Sequence, residues 1–514
     1  MGLLLLLPAE LQNAIYDFLD VVSIKNLRTT CRVLAKAVPL HFNRVFISAN
    51  SLNIQVFKAI ANHETFRHQV TKIIWDDASL PTRPELEAQQ QGQEETEYDS
   101  DIQNEPLRWF RDWHDDYCDW AFWGYCPENH LSLKESWVYY KPLIDDQTRI
   151  LSSNADIEAF NYGLRRFTSL RRVTITPSTH GRYESPLYRT PMIRAFPPGF
   201  DYPVPEPGHS YDHRDQRWYD IDVHPWVYHG DDNSYKELYG VKCTAEEYRN
   251  QWRGFWLVMR ALKEYDGHSI SELVVGGNEI RFGLNYRIFD QWSLEYSYLV
   301  ALLKRPGFRH LDLHLFTGLL EEDDWLSFQN GLLHDALAQA KDLEYLSLRS
   351  DIEIFEGTWE GSVEEERGEK VLPLRSIFRP DCWPRLQHFG ITNMIVDLDD
   401  FISLLTSMPP SLRSVEINDV TFESPEHGYD DLLCAMRHTL DWRLRPIEER
   451  PKVQMRLTIG GALQELGRFV QLDQTISSYL YGTGDNPFES KFRPLPGRGA
   501  VQIDVFDPDF EEPF

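Results

Sequence analysis

The chain has 514 residues and a formal net charge of −28, and it is 42% hydrophobic and 13% aromatic. That charge argues against nucleic acid or an anionic membrane as the main partner, since both demand a basic footprint, and points to a basic or neutral protein surface. Six cysteines, Cys31, Cys118, Cys126, Cys243, Cys382 and Cys434, are too sparse and scattered for a disulfide framework and read as reduced thiols; the length predicts more than one structural unit.

The opening run Leu3 to Leu7 has no Lys or Arg before it and meets Pro8 and Glu10 at once, so it does not read as a signal peptide. Gly2 is followed by Leu6 where a myristoylation motif wants Ser or Thr, and no later stretch reaches the roughly 18 apolar residues of a membrane span. The expected compartment is cytoplasmic and/or nuclear. Leu11, Ile15, Phe18 and Leu19, then Ile24, Leu27, Cys31 and Leu34, have the spacing of two successive helices, with Pro8 in the first turn of one and Ser23 as N-cap of the other. A piece of this size cannot bury so much apolar surface alone and needs a partner surface.

The stretch "LPAELQNAIYDFLDVVSIKNLRTTCRVLAKAV" resembles an F-box, on Leu7, Pro8, Glu10, Leu11, Ile15, Leu19, Leu27, Arg28 and Cys31. It departs from the pattern at Val33 and Leu34, where many members carry Trp. The resemblance implies that these nine residues bind Skp1, the adaptor of a cullin-RING ubiquitin ligase. An ordinary N-terminal hairpin packed on its own domain is the other reading.

Beyond residue 46 the pattern apolar-x-x-apolar-x-apolar recurs at Val70, Leu170, Ile270, Phe308, Leu343, Leu386 and Leu412, each copy reading as a short strand with one buried face. Helical stretches precede most copies. Thr244 to Tyr265 opens on a Thr244/Glu247 capping box; Trp325 to Ala340 and Leu398 to Met408 read as two more helices, the last stopped by Pro409-Pro410. Helix then strand, repeated, is the grammar of an irregular leucine-rich-repeat solenoid, and the chain is similar to the fungal F-box proteins with degenerate leucine-rich repeats. The expected fold class is therefore α/β: an F-box helical domain over 1–45, a degenerate leucine-rich-repeat domain over 46–480, and a tail over 481–514. A non-repetitive α/β domain shares the same local grammar.

Two insertions interrupt the repeats. Residues 81–105 are acidic and nearly free of apolar side chains, and read as disordered; residues 177–240 are rich in Pro, Tyr, Trp and His, too aromatic to be left in water, and read as a non-helical segment draped over the repeats. His114, Cys118, Cys126 and His130 are a weak zinc pattern, more simply an aromatic helix; no cofactor is expected. Gly267-His-Ser-Ile-Ser lacks the second Gly of a nucleophile elbow, and Ser269 follows a helix and precedes a strand, the wrong order. No enzymatic activity is expected. The expected function is the substrate-recognition subunit of an SCF-type (Skp1-cullin-F-box) ubiquitin ligase. The alternative is a repeat-based binding scaffold whose N-terminal helices only cap the repeats. The target, an unknown protein, is expected at strand residues Arg172, Asp312, His314, Arg349, His388 and Arg413 and at Trp218 and Trp226 in the aromatic insertion.

Overall fold

The computed structural model describes residues 7–19, 21–38, 40, 42–81, 109–111, 113–114, 130–180, 186–203, 209–212, 217–220, 223–240, 243–276, 283–318, 325–352, 371–424, 426–458 and 469–488. Nearly all of the expected acidic loop, Cys118, Cys126 and most of the tail lie outside these residues.

The first apolar run folds as three helices, α1 (Ala9–Asp17), α2 (Val21–Thr30) and α3 (Arg32–Ala37). Pro8 occupies the N-cap of α1 and thus sits just outside the first turn. The second expected helix is broken at Cys31, whose extended backbone and sulfur cap α3 by accepting from Leu34 N at 3.5 Å. Helix α2 also begins at Val21, so Ser23 falls inside its first turn and is not the N-cap. Tyr16, Ile24 and Val38 form a small apolar cluster of their own, with Leu19, Leu27, Leu34 and Leu40 against it.

The remainder is mixed α/β, dominated by one parallel sheet. Its nine-strand path is β1 (Arg44–Ile47), β2 (Lys72–Asp76), β3 (Arg172–Thr176), β4 (Glu272–Val275), β5 (His310–Phe316), β6 (Tyr345–Arg349), β7 (His388–Thr392), β8 (Ser414–Asn418) and β9 (Lys452–Gln454), with Leu284–Asn285 pairing on the end of β5. Spatial order follows chain order throughout. There is consequently no reversal of strand order along this path, and so no switch-point crevice of the kind that receives nucleotides in doubly wound sheets.

Between successive strands lies a helix: α4 (Ser51–Asn62), α5 (Ala155–Leu164), α6 (Arg253–Glu264), α7 (Leu294–Leu303), α8 (Leu332–Ala338), α9 (Leu374–Ile377), α10 (Leu398–Thr406) and α11 (Tyr429–Thr439), with α12 (Asp473–Tyr481) after β9. Each touches the next, forming one continuous row behind the sheet. The apolar copies fall into register across it: Val45, Ile73, Val173, Leu273, Leu311, Leu346, Phe389, Val415 and Val453 align as one line of Cα partners, and all are buried in the main core. A side chain two residues on, from Ile47 and Trp75 to Ile391 and Ile417, forms a second buried line. Alternation leaves the intervening side chains on the opposite, front face.

Consecutive units also share their turns. Asn393 and Asp419 follow β7 and β8 at equivalent places, both with positive φ, and the next residues pair as Ile395–Val396 with Thr421–Phe422.

Several sequence expectations need correction. The Thr244 to Tyr265 helix keeps its capping box but is divided into Ala245–Arg249, a 3-10 turn and α6. Trp325 to Ala340 is two short helices, Leu326–Gln329 and α8, interrupted at Gly331 with φ +87°. Residues 177–240 do contain helices, Pro191–Arg194 and Asp232–Tyr239, each begun by an N-cap side chain, Thr190 or Asp231, that no periodicity reveals. Leu187 and Tyr188 of that segment pack on Ile74 and Phe46, which covers the front of the first two strands. Phe200 joins Trp109, Phe110, Trp137, Tyr140, Ile144 and Leu80 in a separate aromatic cluster.

Candidate functional site

Two surfaces carry the residues that the sequence singles out. On the first, α1 turns one side toward the small cluster and the other away from it. Leu11, Ile15 and Phe18 fall one helical turn apart and are 52%, 38% and 91% exposed. Leaving three large apolar side chains in water on one stripe is unfavourable, and such stripes mark contact surfaces. Val33 of α3 is exposed as well. Phe18 is absent from the nine motif residues, although its spacing from Leu11 and Ile15 was legible.

The other motif residues divide. Leu19 and Leu27 pack inward, and the Arg28 guanidinium donates to the Val38 carbonyl, so these three hold the helices together. Cys31 is the α3 cap. Leu7 is half-buried with its carbonyl accepting from Gln12 Nε2 at 2.8 Å, and Pro8 is exposed. The side chain of Glu10 lies outside the described set.

The second surface is the front face of the sheet. His310, Tyr345 and His388 are Cα partners on β5, β6 and β7. Their rings stack with centroids 4.0 and 4.1 Å apart and planes within 10° and 3°. Burial, reinforced by the charge of Arg172, pushes the His310 imidazole down to about 3, so this member is neutral at physiological pH. To one side, Arg172 Nε and Arg309 Nη2 donate to the two oxygens of Glu272 at 2.8 and 2.7 Å. Burial works to raise that carboxyl, and the two guanidinium bonds overcome it and hold it below the usual range.

Two and four residues further along these strands, on the same front face, lies a charged knot. Arg349 Nε stands 3.6 Å from Asp312 Oδ1, and its Nη2 stands 3.9 Å from Glu416 Oε1. His388 Nε2 is 3.6 Å from Glu416 Oε2 and His314 Nε2 is 3.8 Å from Asp312 Oδ1. Burial, with Arg349 beside it, drives His314 well below its ordinary range, so it stays neutral. Asn418 Nδ2 completes the knot on Glu416. The fold thus gathers Asp312, His314, Arg349 and His388, four of the expected target-binding residues, around Glu416. Arg349→Met would leave two buried carboxylates without their shared cation. We expect a loss of about 3 kcal/mol in urea unfolding.

Arg172 stands two strands away, tied to Glu272. Arg413 precedes β8 and donates to the Pro410 and Leu412 carbonyls. Trp226 is buried in the core and its indole N–H donates to Glu295 at 3.2 Å, so it is no surface anchor. Trp218 lies in a two-stranded hairpin, His209–Asp212 with Arg217–Asp220, and its side chain is outside the described set. His114 and His130 stack at 6.3 Å, and His130 Nδ1 is 3.7 Å from Asp201 Oδ2. Among the described residues no group of three His, Cys, Asp or Glu has a metal-holding arrangement, and no helix is long and apolar enough to cross a membrane.

No family model and no curated protein matches this chain.

Proposed function

We propose that the chain is the substrate-recognition subunit of an SCF-type ubiquitin ligase: a non-catalytic adaptor whose helices α1 to α3 act as an F-box on Skp1, linking through it to a cullin. In this reading the parallel sheet and its helix row are a degenerate leucine-rich-repeat solenoid, and the front face receives the target protein. The observation that carries the reading is the open stripe of Leu11, Ile15 and Phe18 on a three-helix unit with its own apolar cluster. A unit serving only to cap the first repeat would turn that stripe toward β1. Chain-order strands, one helix each and in-register apolar lines support the repeat reading.

The test is co-purification of the full chain with Skp1. The wild type is expected to be retained. Leu11→Asp with Ile15→Asp should weaken binding by more than about a hundredfold, since each buried side chain contributes roughly 1.5 to 3 kcal/mol, and Phe18→Asp alone by about ten- to a hundredfold. A wild-type chain that Skp1 does not retain would overturn the reading in favour of the non-ligase scaffold.

A further inference from the structure

The stretch between α11 and β9 holds two large apolar side chains out in water. Leu444 closes one 3-10 turn, Asp441–Leu444, and Ile447 opens a second, Ile447–Glu449, with Pro446 between them. They are 87% and 79% exposed. The backbone that carries them is fixed, since Arg445 N donates to the Trp442 carbonyl at 3.2 Å and Arg450 Nε to the Arg445 carbonyl at 3.0 Å. Next to them is a shallow depression lined by buried Leu440, Trp442 and Leu480 together with Tyr481, Arg437 and Arg443. Arg437 reaches across to α12, lying over the Tyr479 ring at 4.7 Å and donating to the Gly482 carbonyl at 3.3 Å. Arg450 lies over the Tyr481 ring at 5.6 Å, and the Tyr481 hydroxyl donates to the Pro451 carbonyl. These contacts join the turns, the end of α11 and the end of α12 into one surface. From Arg437 to Lys452 it holds five Lys and Arg against three Asp and Glu, a net +2 in a chain of −28. Arg445 is paired with Asp441 and Lys452 with Asp473, but among the described residues Arg437, Arg443 and Arg450 make no ion pair. Apolar side chains held out by ordered backbone, bordered by unpaired guanidinium groups, suit a contact that is both apolar and acidic.

We infer that residues 501–514 of this same chain occupy that surface. They lie outside the described residues, and their sequence, VQIDVFDPDFEEPF, carries six large apolar side chains and five carboxylates with no Lys or Arg. In this arrangement Phe506 and Phe510 cover Leu444 and Ile447, and the acids beside them, Asp507, Asp509 and Glu511, meet Arg443 and Arg450. The reach is sufficient. Phe488, the last described residue, stacks on Tyr429 at the start of α11 with ring centroids 5.2 Å apart. The 11 residues of α11 carry the surface about 16 Å from there. The linker of 12 residues, 489–500, spans about 40 Å when extended. A linker of this length holds the segment at an effective concentration of about 1 mM, so an intrinsic Kd of about 100 μM keeps the surface roughly 90% covered. A separate protein would need a far tighter contact to displace it. The stretch also belongs to the last helix–strand unit of the path, and the terminal units of a stacked array are the ones that need a cover.

A fluorescent peptide of residues 499–514, titrated into two full-length chains, tests this. One is the wild type; the other carries Phe506→Ser with Phe510→Ser, which frees the surface. The peptide is expected to bind the second chain about tenfold more tightly than the first, whose own segment competes, and to bind more weakly as salt rises. Leu444→Asp with Ile447→Asp, added to the second chain at positions already in water, should remove the binding while leaving the far-UV circular dichroism unchanged. Equal affinity for the two chains, no binding to the second, or binding that survives Leu444→Asp with Ile447→Asp would each overturn the inference. So would a wild-type dimer in sedimentation that the Phe506→Ser, Phe510→Ser chain lacks, since the segment would then sit on a second copy. The measurement needs no Skp1, so it stands or falls apart from the ligase reading.

Discussion

Trp383→Ala is expected to destabilise the fold by about 3 to 5 kcal/mol, measured as a fall in the urea midpoint. The side chain is fully buried between β6 and β7, in the short turn that follows α9, and its indole N–H donates to the Leu337 carbonyl at the end of α8 at 3.0 Å. It therefore ties two successive helix–strand units. Removing it opens a cavity and takes one of two donors from that carbonyl, which keeps Ala340 N at 3.2 Å, so the cavity is the larger cost. Trp383→Phe separates them: most of the volume is kept and the bond is lost, so a smaller drop of about 1 to 3 kcal/mol is expected. A Phe variant as unstable as the Ala variant would show that the hydrogen bond, not the packing, dominates here.

The second large effect concerns pH. Asp76, at the end of β2, is wholly buried with Oδ2 4.0 Å from His180 Nε2, and His180 Nδ1 is 2.8 Å from the Tyr202 hydroxyl. This is not an ion pair at neutral pH. Burial pushes the Asp76 carboxyl up to about 7, the like charge of Asp77 adding to it, and burial pulls His180 down to about 4. Asp77, also raised to about 7 by burial, accepts from Gly254 N at 2.6 Å and Trp75 Nε1 at 3.3 Å, at a contact where any Cβ on residue 254 would strike the indole.

The folded state thus keeps a proton on Asp76 that the unfolded chain, titrating near 3.8, gives up. The stability due to that proton is complete below the unfolded value and is lost as pH rises through about 7. Asp76→Asn retains the oxygen that accepts from Ala78 N and cannot ionise. It should match the wild type near pH 4 and exceed it at pH 8, by something on the order of 3 kcal/mol. Thermal melts of both proteins across that range are the check, and a gain of equal size at both ends would refute the assignment.

Much of the architecture was legible because burial imposes a period. The seven apolar copies from Val70 to Leu412 all end in strands of the one sheet, since a side chain that must alternate between a helix-backed core and a front face cannot hide its pattern. The first strand, Arg44–Ile47, and the last, Lys452–Gln454, escaped notice because the copies at the two ends are short. Helix interruptions at Cys31 and Gly331 depend on backbone conformations, an extended cap and a positive φ, that apolar spacing does not encode. On the front face the sequence offered alternating polar residues, and only pairing across strands reveals which ones meet. Arg349 finds Glu416 on β8, two strands away, because β7 contributes Gly390, the smallest side chain, between Ser347 and Glu416 in the register. Trp226 misled because an aromatic in a proline-rich stretch looks like a surface anchor until the core that swallows it is known.

Because, among the described residues, each strand along the path is bonded to the path strands made just before and just after it, no ladder closes the first strand of the sheet on the last. The length of the sheet is a free parameter. One helix and strand could be duplicated or excised between β4 and β8 while every remaining ladder stays satisfied, and the front face would grow or shrink by about 4.8 Å each time. In such an architecture the reach of the front face is set by counting units, whereas the α1 stripe is left untouched by the count.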